Sequence, residues 1–120
     1  ISGNYHDHQR ETRQMNQFAF HHDGGHAWLQ VPNRLLSDLG IENFISRFSY
    51  IKGDQVYLEE DMDANLFITA WKAEKGSNPK WFDYFEDGMS KIRDFDRFPA
   101  RADRSYSQVQ RKLEDLRKGY

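Results

Sequence analysis

Apolar positions recur along this chain with two different periods, and the changes of period mark where its elements start and stop. From Phe18 the period is two: Phe18, Phe20 and His22 alternate with Gln17, Ala19 and His21, and Ala27, Leu29 and Val31 resume the pattern after Asp23-Gly24-Gly25. Strand side chains alternate between faces, and a D-G-G step offers the positive φ angles that tight turns favour, so this stretch predicts a β-hairpin. Pro32 suits the first turn of a helix, where its missing N–H costs nothing. Leu35, Leu36 and Leu39, closed by Gly40, predict a short helix laying its leucines on the hairpin. Ile41, Phe44 and Ile45 carry the core through a linker, and Arg47–Ile51 and Gln55–Glu59 around Lys52-Gly53-Asp54 predict a second hairpin.

Beyond Glu59 the period lengthens. Asp63 stands where an N-cap belongs, and Leu66, Phe67, Ala70, Trp71 and Ala73 mark one face of a helix running to about Lys75 and closed by Gly76. Asn78-Pro79 reads as a second cap-plus-proline start, predicting a short aromatic helix with Trp81, Phe82 and Phe85 that ends near Gly88. Ser90–Asp103, with Ile92, Phe95 and Phe98, fits a helix or a packed loop up to Pro99. The last segment has the cleanest helical period: Tyr106, Val109, Leu113, Leu116 and Tyr120 form a narrow stripe on a helix over about 105–118. Two heptads are too few for a stable isolated coiled coil, so the stripe needs a partner surface, either its own domain or another chain, a homodimer among the options. The expected fold is α+β: two β-hairpins forming a small antiparallel sheet, packed by short helices and completed by a C-terminal amphipathic helix. Residues 1–17 have no apolar period and are expected to be a flexible arm, leaving 18–120 as one domain.

Composition sharpens this picture. Hydrophobic residues make up only 38% of the chain, yet 15% is aromatic, which argues against disorder and for an aromatic core inside a charged shell. Without cysteine, disulfides, thiol catalysis and Cys-ligated metal sites are excluded. No apolar run approaches the ~20 residues of a membrane helix, the first residues do not read as a signal peptide, and a cytoplasmic setting is expected.

Charge is unevenly spread. Residues 54–90 hold nine acids against three lysines, whereas residues 91–120 hold nine bases against five acids. Within the acidic cluster Glu59, Glu60, Asp61 and Asp63, the run Asp61-x-Asp63-x-Asn65 opens like a calcium loop, but Leu66 and Lys72 occupy the positions that require Gly and Glu. Acids just before a helix more often serve as caps and dipole partners than as catalysts. His21, His22 and His26 near Asp23 are weak metal candidates, since neighbouring strand residues point to opposite faces and the turn lacks the fixed spacing of a helical H-x-x-x-H. The tail bases, Lys91, Arg93, Arg97, Arg101, Arg104, Arg111, Lys112, Arg117 and Lys118, lie among aromatics as a nucleic-acid surface would, but five interleaved acids favour a solvated face. Phosphate-binding loops and nucleophile elbows are missing, so no catalytic residue is assigned, no cofactor is expected, and the reading leans away from an enzyme.

One stretch carries a resemblance. Gly25-His26-x-Trp28-Leu29-x-Val31-Pro32, Leu36-x-x-Leu39-Gly40, and Ser49-Tyr50-x-x-Gly53-Asp54-x-Val56-Tyr57-Leu58-Glu59-Glu60-Asp61-x-Asp63, with Phe67 and Ala70, resemble an uncharacterised domain family of plasmid- and phage-borne proteins of Gram-negative bacteria. Such proteins often stand beside anti-restriction or DNA-modification modules. The resemblance implies a mobile-element origin, a bacterial cytoplasm and no established activity. The function expected is a non-enzymatic interaction protein that binds and modulates a host protein, in the manner of counter-defence, through the acidic face of Glu59, Glu60, Asp61 and Asp63 and the stripe of Tyr106, Val109, Leu113, Leu116 and Tyr120. Two alternatives stand beside it: a metal-dependent hydrolase or nuclease built on His21, His22 or His26 with nearby carboxylates, and a nucleic-acid accessory protein using the basic tail.

Overall fold

The computed structural model describes residues 17–118, so Tyr120 and residues 1–16 of the expected 1–17 arm lie outside the described residues, while Gln17 belongs to the first strand rather than to the arm. Strands β1 (Gln17–His22) and β2 (Ala27–Pro32) form the first hairpin, followed by helix α1 (Asn33–Asp38) and a 3-10 turn at Glu42–Phe44. The second hairpin joins β3 (Tyr50–Lys52) to β4 (Gln55–Glu59), with Lys52 opposite Gln55 and Gly53 at φ 61° in the turn. Helix α2 (Asp63–Lys75) comes next, then β5 (Lys80–Phe85), a 3-10 turn at Lys91–Asp94, the short strand β6 (Asp96–Arg97) and helix α3 (Tyr106–Arg117). Among the described residues the strands make one six-stranded sheet in the order β5-β1-β2-β4-β3-β6. The α+β class and the C-terminal helix are as the sequence predicts.

Three details correct the expectation. The aromatic segment after Pro79 is a strand rather than a helix, and it pairs parallel to β1 with Phe18 opposite Trp81 and His22 opposite Phe85, so the sheet is mixed. Pro32 closes β2 instead of opening α1. The Asp23-Gly24-Gly25 turn uses no positive φ: Asp23 Oδ1 accepts the amides of Gly25 and His26, both at 2.9 Å, and this side-chain turn replaces the strained backbone.

Alternation sorts the sheet into two faces. Phe18, Leu29, Val31, Val56 and Leu58 point to one side, where α1, α2 and α3 cover them with Leu35, Leu36, Leu66, Phe67, Trp71, Val109 and Leu113. Phe18 sits edge-on to Phe67 and to Trp71, with ring centroids 5.4 Å apart in each case. On the opposite side Trp28, Tyr50 and Ile92 form a second, smaller cluster, with Tyr57 and Phe95 packed against it. Among the described residues no α-helix covers this face. The chain between β5 at one edge of the sheet and β6 at the other crosses it as a strap, bringing Ile92 and Phe95 down onto the aromatic side chains.

Among the described residues no helix is long and apolar enough to cross a membrane.

Candidate functional site

The acidic motif divides into structural and exposed parts. Glu59, at the end of β4, folds its carboxylate back over the start of α2: Oε1 accepts the amides of Met62 and Asp63 at 2.7 Å each, and Oε2 accepts that of Asp61 at 2.8 Å. Helix amides without intrahelical partners need such acceptors, so Glu59 is the cap of α2. Asp63 does not have the capping role expected of it. Its carboxylate turns inward with no exposed surface, and Oδ2 accepts from the Ser46 amide at 3.0 Å, Ser46 Oγ at 2.6 Å and Ser49 Oγ at 2.5 Å. Ser49 Oγ in turn accepts the Glu59 amide, and Ser46 Oγ accepts that of Phe48. This relay locks the 46–49 turn to β4 and α2. Burial pushes the Asp63 carboxyl up, with the serine donors pulling against it. Arg104 Nη2 lies 3.9 Å from Oδ1, while Arg104 Nε donates to the Phe44 carbonyl at 2.8 Å. Only Glu60 and Asp61 of the four acids remain fully on the surface.

The histidines do not converge. His21 Nε2 meets Gln30 Oε1 on the strap side of the sheet, and His22 Nε2 meets Asp83 Oδ1 on the helix side, both at 2.8 Å. His26 is exposed at the turn. No group of three or more metal-ligating side chains occurs among the described residues. Asp23, the carboxylate expected beside them, is 1% exposed at its side chain and bound by Arg93 and the Ser90 amide, so it is no free ligand.

The C-terminal stripe also divides. Val109 and Leu113 are buried in the main core, Leu116 is partly buried against it, and Tyr106 is 64% exposed. The helix therefore docks on its own domain, and Val109 and Leu113 are not available to a second copy. Of the tail bases, Arg93, Arg101 and Arg104 are engaged within the chain, by Asp23, Asp103 and the Phe44 carbonyl.

What the fold does assemble is a groove of about 670 Å³ at one end of the sheet. Its lining comes from the start of β2 (His26, Ala27, Trp28), the 46–50 turn (Ser46, Phe48, Tyr50), the β4–α2 corner (Glu59, Glu60, Asp61, Met62), and Arg93, Arg97, Arg104 and Tyr106. Trp28 and Tyr50 meet edge-on at 6.2 Å. Two guanidinium groups lie over them, Arg93 at 5.3 Å from the Trp28 ring centre and Arg97 at 4.5 Å from that of Tyr50. Stacking holds a guanidinium plane in place and leaves its edge for other partners. Asp23 takes Nε and Nη2 of Arg93, whereas the contact of Arg97 to the Arg47 carbonyl is long, at 3.5 Å, so Arg97 keeps most of its donors. Phe48, 69% exposed, and Tyr106 complete an aromatic rim. A smaller hollow of about 430 Å³, bounded by Phe44, Arg101, Asp103, Arg111, Lys112 and Asp115, has no comparable set of aromatics.

Neither a family model, nor a curated protein, nor a solved structure matches this chain. The groove is therefore read from its own chemistry. Its aromatic and arginine members were not singled out together in the sequence. They come from segments spread over residues 26–106, and only the pairing of β2, β4, β3 and β6 makes them neighbours.

Proposed function

We propose that the chain is a protein-interaction module whose groove receives an extended segment of a partner protein. The observation that carries this is the two-sign, aromatic lining. Arg97 stacked on Tyr50 offers a planar donor edge, Glu60 and Asp61 offer acceptors, and Phe48, Trp28 and Tyr106 offer apolar surface in the same groove. Interface centres favour aromatics and arginine in this way, because aromatic side chains bury much area at little entropic cost and the planar guanidinium donates several hydrogen bonds from a fixed fork. A segment with an apolar anchor between an acidic and a basic residue would meet each feature with its complement. The sequence resemblance supplies the partner class: a protein of a bacterial host, bound and modulated without catalysis.

A purely acidic face imitating nucleic-acid phosphates is the weaker version. Glu59 and Asp63 are held by their own hydrogen bonds, and Arg97 lines the same groove.

Selection from a displayed peptide library tests the reading. The wild type is expected to enrich one pattern of an apolar residue flanked by opposite charges. Phe48→Ala with Arg97→Glu, both at exposed positions, is expected to lose that pattern by tenfold or more in affinity. A wild type that enriches no pattern, or a double variant that enriches the same one, sinks the reading.

A further inference from the structure

Among the described residues strand β5 closes one edge of the sheet, and every residue in it is exposed. Phe82, Tyr84 and Phe85 are 50%, 52% and 73% exposed, and Trp81 is 37% exposed. Edge strands of monomeric proteins are normally short, charged, bulged or covered, because a bare edge recruits other strands. This one is six residues long and bears four aromatics.

We infer that β5 is a self-pairing edge, joining antiparallel to β5 of a second copy about a two-fold axis at Asp83, so that the two sheets become one. Register follows from geometry. The Glu86 amide donates to the His22 carbonyl, so by strand alternation the amides and carbonyls of Trp81, Asp83 and Phe85 point away from β1. A partner β5 bonds to those groups only if odd residues face odd residues, which is also the condition for each face of the sheet to continue into the same face of the copy. Centring the pair on Asp83 uses the whole strand. Trp81 then lies opposite the partner's Phe85 and Phe82 opposite the partner's Tyr84, each twice by symmetry, and Lys80 lies opposite the partner's Glu86, also twice. Aromatic and opposite-charge cross-strand pairs are the favourable kinds. The one like-charge meeting, Asp83 with Asp83, is eased because each carboxylate already holds His22 at 2.8 Å. A self-complementary patch of this kind is what a two-fold dimer requires. The surface lies outside the groove and does not depend on its function.

Light scattering on the full chain, followed over a dilution series, decides the matter. The wild type is expected at twice 14.3 kDa, dissociating on dilution. Phe82→Lys is expected to give a folded monomer, with circular dichroism and melting confirming the fold. Lys80→Glu alone should weaken the dimer about tenfold by placing like charges opposite each other twice, and Lys80→Glu with Glu86→Lys should restore it. A wild type that stays monomeric at its highest soluble concentration overturns the inference. So does a dimer indifferent to Phe82→Lys, or a double charge exchange that fails to recover what the single change lost.

Discussion

Asp23 and Arg93, 70 residues apart in sequence, meet in a two-pronged bridge, with Nε 2.8 Å from Oδ2 and Nη2 3.0 Å from Oδ1. Asp23 also accepts the amides of Gly25, His26 and Ser90, so one carboxylate shapes the first hairpin turn and anchors the strap that crosses the sheet. Substituting it should therefore disturb a region far from the turn. Asp23→Ala is expected to lower the melting temperature by several degrees and to change Trp28 fluorescence, because Arg93 loses the partner that holds it over the indole. Arg93→Lys should behave similarly, since an ammonium cannot make the fork. A melting temperature unchanged in both variants would show that the strap is held by its apolar contacts alone.

The same bridge gives a pH signature. The Arg93 guanidinium, then the Ser90 amide, hold the Asp23 carboxyl well below the usual carboxylate range. A carboxyl lowered in the folded state contributes stability above its unfolded value of about 4, and that contribution is lost as pH falls toward the folded value. The stability gap between wild type and Asp23→Ala should be constant from neutral pH down to about pH 5 and close progressively in acid. Urea melts at stepped pH measure it, and a gap independent of pH down to the acid limit contradicts it.

Asp63 titrates in the opposite sense. Burial raises its carboxyl, so the folded state binds the proton more tightly, and stability falls as pH rises from about 4 through the folded value. Asp63→Asn keeps an acceptor for Ser46 and Ser49 and removes the charge. It should flatten that part of the pH profile at modest cost. Asp63→Ala strands three donors in the interior and should cost on the order of 3 kcal/mol in chemical denaturation. Equal losses for the two variants would show that the charge itself, rather than the acceptor, holds the 46–49 turn.

Neighbouring glutamates should differ sharply. Glu59→Ala removes the acceptor of three amides at the start of α2 and is expected to cost about 1–2 kcal/mol. Glu60→Ala, at an exposed position with no such bonds, should stay within about 0.5 kcal/mol of wild type. Comparable effects in denaturant titrations would remove Glu59 from the capping role.

Helix α3 separates in the same way. Leu113→Ala should cost about 2–4 kcal/mol and leave the mass unchanged, because its side chain fills the domain's own core. Tyr106→Ala should leave stability nearly unchanged and weaken partner binding, since Tyr106 is exposed at the groove rim. Thermal melts with light scattering distinguish the two.

The elements with clean periodicity were legible in the sequence. Phe18, Leu29 and Val31 alternate into the core, α2 stops at Gly76 with φ 84°, and the stripe of α3 buries Val109 and Leu113. Strand β5 was not legible, because its aromatics fall on both faces and leave no period of two, while Asn78-Pro79 imitates a helix start. What decided its state was the open edge of β1, a partner 58 residues or more away that no local pattern encodes. The exchange of roles between Glu59 and Asp63 was hidden for a similar reason. Both are acids beside a helix start, and only Ser46 and Ser49, brought close by the turn before β3, draw Asp63 inward. At the hairpin tip, glycine serves proximity rather than torsion: a Cβ on Gly25 would come within 3.2 Å of Arg93 Nη2.

The parallel pairing of β1 with β5 also orders events in time. During synthesis β1 leaves the ribosome well before the strand that will flank it, and β2, α1, the second hairpin and α2 must emerge in between. Throughout that interval one side of β1 is a row of unsatisfied backbone groups next to Phe18 and Phe20, open to any extended segment nearby. Pairing with β5 covers that side of β1, and the bridge from Arg93 to Asp23 fastens the chain beyond β5 to the first hairpin. A nascent chain stalled before Lys80 would lack Phe98, Val109 and Leu113 from its core as well as the strand that covers the seam, the state in which this protein is most exposed to misassembly.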